Sequence, residues 1–252
     1  VSKEAGLGDA LLYGGYDMSG DVQSLGNVGG GPAALDFTDI TKGANARKGG
    51  LRDGRIEWTS FFNPGMEANA AHGLLSALPM GDVIVTYCRG TGLGAPAACL
   101  NGKQVNYDGS RGNDGSLTFA VSGQASGYGL EWGLLATPGM RTDTAPTDGD
   151  GLDAGAGTDF GLQAYLHVSD VQGGTLTVTV QDSADGTTFT DVVGGAFADV
   201  TTAGSAQRIA TAGDLTVARH LRVATTGDFT TATFAVVIVR NEVSQEVADG
   251  LA

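Results

Sequence analysis

The side chains in this sequence that could do chemistry are few, and they are scattered. Its histidines are His72, His167 and His220, and none has a His, Cys or carboxylate at metal-ligand spacing. They read as surface or packing side chains. The two cysteines, Cys88 and Cys99, are too few for a disulfide scaffold and lack the second pair that a zinc site needs. Each sits among apolar neighbours, so the expectation is a pair of buried free thiols. A nucleophile site needs a base and an orienting partner, yet no G-x-S-x-G turn is present, and only Cys88 with His72 can be imagined as a pair. Gly90, Gly92 and Gly94 in RGTGLGAPAA resemble a phosphate cradle in composition. They lack the Lys-Ser/Thr ending of a P-loop and a following helix, so a loop joining two strands is expected. Asp148, Asp150 and Asp153 offer oxygens to a hard cation, but without the spacing and closing Glu of an EF-hand they read as solvated linker. Paired carboxylates can hydrolyse glycosides, and nothing singles out two of the many here. The expectation is no enzyme, no cofactor and no metal.

One charge feature departs from the rest. The chain has 252 residues with 14 basic and 28 acidic side chains, a net charge of −14 and a pI near 4.3. Both halves share the sign: −6 over residues 1–150 and −8 over 151–252. Such a balance opposes docking on nucleic-acid phosphates or anionic lipids. Against it stands DITKGANARKGGLRDGR, with Lys42, Arg47, Lys48, Arg52 and Arg55. This is either a solvated loop or one that docks on an acidic surface of a neighbouring copy. Asp39, Asp53 and Glu57 dilute it and no aromatics interleave, so nucleic acid ranks third.

These residues must be positioned by strands. The 42 glycines fall between short Val/Thr/Leu runs, as turns between strands would. Residues 137–159 are rich in Gly, Asp, Thr and Pro and mark a boundary between two units. In the first, strands are expected at Ala10–Tyr13, Ala34–Thr38, Ile56–Phe62, Val83–Cys88, Ala98–Asn106, Ser116–Gly123 and Tyr128–Leu135, with a strandless stretch between Thr38 and Ile56. The run MEANAAHGLLSALP predicts a short helix presenting Leu74, Leu75 and Leu78, stopped by Pro79 and weakened by Gly73. In the second unit, Leu162, Ala164, Leu166 and Val168 alternate with Gln163, Tyr165 and His167, predicting a half-buried strand. Leu176, Val178 and Val180 alternate with threonines, and Asp185-Gly186 suits a tight turn, which makes a hairpin. Ala206–Ala210, Val217–Thr225 and Ala232–Arg240 follow, the last apolar on both faces and therefore central. EVSQEVADGLA reads as a frayed tail or a short contact helix. No apolar run is long enough to span a bilayer, and the N-terminal residues lack a signal-peptide layout, so a soluble chain made in the cytoplasm is expected.

The stretch GYDMSGDVQSLGNVGGGPAALDFTDITKGANARKGGLRDGRIEWTSFFNP, followed by AAHGLLSALP, DVIVTYCRG and KQVNYDGSRGNDGSLTFAVSGQASGYGLEWG, resembles the major tail (tail-tube) proteins of long-tailed siphophages. The likeness covers about residues 1–135 and lies in element order rather than in an invariant signature. Residues 158–241 resemble small sandwich domains that decorate phage virions. The resemblance implies a mainly β fold: a tail-tube-like β-sandwich or barrel over 1–137 with one short flanking helix, a linker over 138–158, a small antiparallel sandwich (Ig-like or jelly-roll-like) over 159–241, and a tail over 242–252. It further implies a virion protein that forms hexameric rings with itself, stacked through Lys42, Arg47, Lys48, Arg52 and Arg55. Other phage tail proteins would be its partners, DNA would pass through the lumen without specific contacts, and the outer domain would face surface glycans. The alternatives are a capsid decoration or minor tail protein, or a carbohydrate-binding module stacking sugars on Tyr165, Phe189 or Phe229, with Trp58 and Trp132 placed apart in strand-like segments.

Overall fold

The computed structural model describes residues 7–243 of the chain. In chain order the elements are β1 (Ala10–Tyr13), β2 (Tyr16–Asp17), a 3-10 turn (Ser19–Asp21), β3 (Val22–Asp36), β4 (Arg47–Phe61), α1 (Ala71–Leu75), β5 (Val83–Cys88), β6 (Pro96–Arg111), β7 (Leu117–Ala125) and β8 (Glu131–Leu135). They continue with β9 (Arg141–Asp143), β10 (Leu152–Asp153), β11 (Leu162–Gln172), β12 (Leu176–Ser183), β13 (Thr190–Ala196), β14 (Ser205–Ala210), β15 (His220–Gly227) and β16 (Thr231–Arg240). The fold is mainly β, as expected, and the strand pairs are antiparallel.

Alternation along the strands sorts side chains into three stacked cores. A four-stranded sheet, β10-β15-β12-β13, packs through Leu176, Val178, Val180, Leu221 and Val223 on Leu162, Leu166, Phe234, Val236 and Ile238 of β11 and β16. The opposite face of β11 and β16, with Tyr165, Ala235, Val237 and Val239, closes on Ala10, Leu12, Ile84, Cys88, Ala97 and Cys99. The third core lies beyond β1 and β5, where Leu11, Tyr13, Val85 and Leu100 meet Ile56, Trp58, Val121 and the α1 residues Ala71 and Leu75. Thus β1 and β16 each feed two cores, one per face, because successive side chains point to opposite sides.

The second sheet runs β14-β11-β16-β8-β6-β5-β1-β2, so β8 joins β16 through Leu135↔Val237 and Leu134↔Ile238. Sequence pattern is blind to that pairing. Residues 138–158, expected as linker, hold β9 on β16 and β10 on β15. Arg141 anchors this stretch with a two-pronged pair to Asp143 (2.9 and 2.6 Å), a bond to the Val223 carbonyl (3.1 Å) and a position over the Phe234 ring.

Four expectations need correction. The stretch between Thr38 and Ile56 is not strandless, because β4 begins at Arg47 and pairs with β3 along its whole length, from Asp36↔Arg47 to Val22↔Ser60. The helix is confined to Ala71–Leu75; tertiary bonds from Asn63 and Asp21 capture its start, with the Asp21 carboxylate accepting from the Ala71 N–H at 2.9 Å, and Leu78 is left exposed. The strand β11 is not half-buried: Gln163, Tyr165 and His167 lie in the second core's layer, Tyr165 and His167 with no exposure. Tyr165 and Phe229 are buried and unavailable for sugar stacking. The Asp185-Gly186 turn stands between β12 and β13; Gly186 has φ +72°, and Asp185 accepts the N–H groups of Thr187 and Thr188 at 2.9 and 2.8 Å. Cys88 and Cys99 are free and buried, and burial pushes the Cys88 thiol up to about 12. Most of the expected C-terminal tail, residues 244–252, lies outside the described residues.

Candidate functional site

The basic stretch belongs to an arm. Strand β7 pairs with β4 only from Arg55 to Phe61, so residues 29–36 of β3 and 47–54 of β4 continue past the sheet as a two-stranded ribbon. At about 3.3 Å per residue, the seven residues Arg47–Asp53 reach about 23 Å. A bare two-stranded ribbon is marginal in water, and this one is kept in register by its ends. At the tip, Asp36 accepts the backbone N–H (2.8 Å) and hydroxyl (2.5 Å) of Thr38, whose oxygen accepts the Ala46 N–H at 2.9 Å. Asp39 does the same for Thr41. These hydroxyl and backbone donors hold both carboxyls below the usual carboxylate range, so the tip stays ionised.

Lys42 lies in the tip and Arg47, Lys48 and Arg52 line β4 along the arm, whereas Arg55 stands at its root, where β4 begins to pair with β7. Lys48 sits 5.8 Å from the centre of the exposed Phe37 ring, and Arg55 reaches Glu57 at 4.0 Å. Apolar side chains share the arm with these charges. Leu35, Phe37 and Ile40 are exposed, and Leu51 is 90% exposed. The arm residues 29–54 carry four basic and three acidic groups, a charge of +1 against −15 for the rest of the chain. The edge of β3 away from β4 has no strand beside it among the described residues.

At its root the arm is clamped to the body. Gly54 lets β4 pass the backbone of Leu130, where a Cβ would come within 2.5 Å of the Leu130 nitrogen. Beside it, Glu131, Tyr165 and Arg208 form a buried polar group: Arg208 donates to both Glu131 oxygens at 3.0 and 3.1 Å and to the Tyr165 hydroxyl at 2.9 Å. The Tyr165 hydroxyl donates to Glu131, and the Tyr128 ring lies 3.8 Å from the Arg208 guanidinium. Burial, and then the Glu131 charge, push the Tyr165 hydroxyl far above its ordinary value. Two hollows flank Tyr128 and Arg208, one of about 370 Å³ reaching Leu51 and Arg52, the other of about 450 Å³ reaching Asp82 and Asn101. The basic residues were legible as a charge run; Glu131, Tyr128 and Arg208 carried no local signal, being brought together from β8, the segment before it and β14.

The other expected chemical groups stay apart. His72 lies on α1 and meets the Tyr107 hydroxyl, His220 lies on β15, and Cys88 packs in the second core. Gly90, Gly92 and Gly94 lie in the β5–β6 connection. Trp58 is 2% exposed, whereas Trp132 is 52% exposed. Among the described residues no helix is long and apolar enough to cross a membrane.

No protein-family model matches the chain, and no curated protein sequence matches it. Among solved structures it is similar to the Dit (gp 19.1) protein of phage SPP1, described as a paradigm of the hub adsorption apparatus in phages infecting Gram-positive hosts. The identity is 14% over 90% of this chain and 98% of that one, with a TM-score of 0.33. It is also similar to a chain of the phage p2 baseplate in its activated conformation with Sr, at 9% identity over 93% and 98% of the two chains and a TM-score of 0.34. Likeness of this degree assigns no function.

Proposed function

We propose that this chain is a structural subunit of a phage tail that assembles with copies of itself, the ring-forming tail-tube role being the first reading. The observation that carries it is the arm: a ribbon with one unpaired edge, apolar side chains in water and a charge opposite to that of the body. An open strand edge is a template for pairing, and exposed apolar residues gathered on one element mark an interaction site. Opposite charge steers one copy's arm to another copy's body. On this reading Lys42, Arg47, Lys48, Arg52 and Arg55 are the stacking residues. An acidic lumen would repel DNA phosphates and let the duplex slide. The resemblance in element order over residues 1–135 supports the same reading.

The test is negative-stain microscopy with sedimentation velocity across protein concentration. Stacked hollow tubes support the tube role, and single closed rings a minor tail protein at the end of a tube. Replacing Lys42, Arg47 and Lys48 with Glu should abolish either assembly while leaving circular dichroism unchanged. Assembly as complete as that of the parent protein would sink the role of the arm.

A further inference from the structure

The geometry points to a binding site for a neutral hexopyranose at Trp132, a site that does not rest on the assembly reading. A cavity of about 260 Å³ opens on the seam between the two sheets, where β8 faces β10 and β15. Its floor is apolar, built from Leu134, Leu152, Leu221 and Ile238. Trp132, a residue 52% exposed, lines it. The only other tryptophan, Trp58, is sealed in the third core, so exposure of this one is a specific departure. At the opposite side lies Arg240, which donates from Nη2 to Glu242 at 3.0 Å, while its Nη1 is buried without an acceptor.

These features select a ligand by chemistry. Small-molecule sites combine apolar walls with a few placed polar groups, and they favour seams between structural units. The volume lies below the 300 to 1,000 Å³ range of drug-sized sites, so it suits about one ring. A flat indole over an aliphatic floor wants an apolar face. The guanidinium and carboxylate already offset each other, which favours an uncharged partner that both donates and accepts. A body with net charge −15 outside the arm repels anions. A pyranose offers C–H faces to the indole and hydroxyls to the exposed Glu242 carboxylate, which the Arg240 guanidinium holds at the rim.

Saturation-transfer NMR on the full chain, with the methyl glycosides of glucose, galactose, mannose and N-acetylglucosamine, tests the assignment. At least one should receive saturation at its ring C–H protons. Trp132→Ala should weaken that binding at least tenfold, Trp132→Phe should retain part of it, and Glu242→Gln should alter affinity with the near-ultraviolet signal of buried Trp58 unchanged. Absence of transfer to all four glycosides would overturn the proposal. So would undiminished binding in Trp132→Ala, tighter binding of glucuronate than of any neutral sugar, or occupation of the site by free indole that no glycoside displaces.

Discussion

His167 stands where two layers of the fold exchange hydrogen bonds. Its Nδ1 accepts the Gly15 N–H at 3.2 Å, which leaves Nε2 to donate to the Thr86 hydroxyl at 2.9 Å, and Thr86 in turn donates to Cys99 Sγ at 3.5 Å. Burial lowers its pKa to about 3 from an ordinary value of 6.5. The unfolded chain therefore binds the proton first, so His167 contributes its stability in full above pH 6.5, and the contribution is lost as pH falls from 6.5 towards 3. The slope is up to about 1.4 kcal/mol per pH unit. Urea unfolding followed across that window should show it, and His167→Gln should flatten the profile; an equal slope in the variant would exclude His167 as its source. Glu131, Tyr165 and Arg208 make a second test at this scale. The pair is buried on both sides, so Arg208→Ala should cost about 3 to 5 kcal/mol in equilibrium unfolding by stranding the Glu131 charge. The double change Glu131→Leu with Arg208→Met should recover most of that loss. A cost below about 1 kcal/mol for the single change would show the pair to be solvated.

Among the elements, the arm is where local pattern misled. Glycine at Gly29, Gly30, Gly31, Gly43, Gly49, Gly50 and Gly54, with polar residues between, reads as loop, because a ribbon with no sheet beneath it has no buried face to impose alternation. Its pairing comes instead from the partner strand and from the Asp36 and Asp39 turns at the tip. The helix was legible in place but not in length, since Asp21, fifty residues earlier, caps it. Because the arm adds little to any core, replacing residues 33–49 with Asn-Gly should leave the thermal midpoint within a few degrees while removing self-assembly. A collapse of the midpoint would mean that the arm is a folding element rather than a contact.

At the scale of the molecule, the layers are shared between the two parts of the chain. The second core takes Tyr165, Ala235, Val237 and Val239 from one part and Ala10, Leu12, Ile84 and Cys99 from the other. We therefore expect one cooperative unfolding transition by tryptophan fluorescence and circular dichroism, and we expect residues 159–243 expressed alone to aggregate through that uncovered face. Two separate transitions would contradict the shared core. The sequence by itself determined the mainly β class, most strand positions, the Gly186 turn and the acidic body with its one basic stretch, because period-2 alternation, turn chemistry and charge are local properties. Only the tertiary structure decided that both faces of β11 are buried, that Arg47 to Arg55 lie on a strand, that β8 pairs with β16, and that Trp132 rather than Tyr165 or Phe229 meets solvent. Alternation shows that the two faces of a strand differ. Which of them meets water depends on what packs there, and that partner comes from residues far away in the chain.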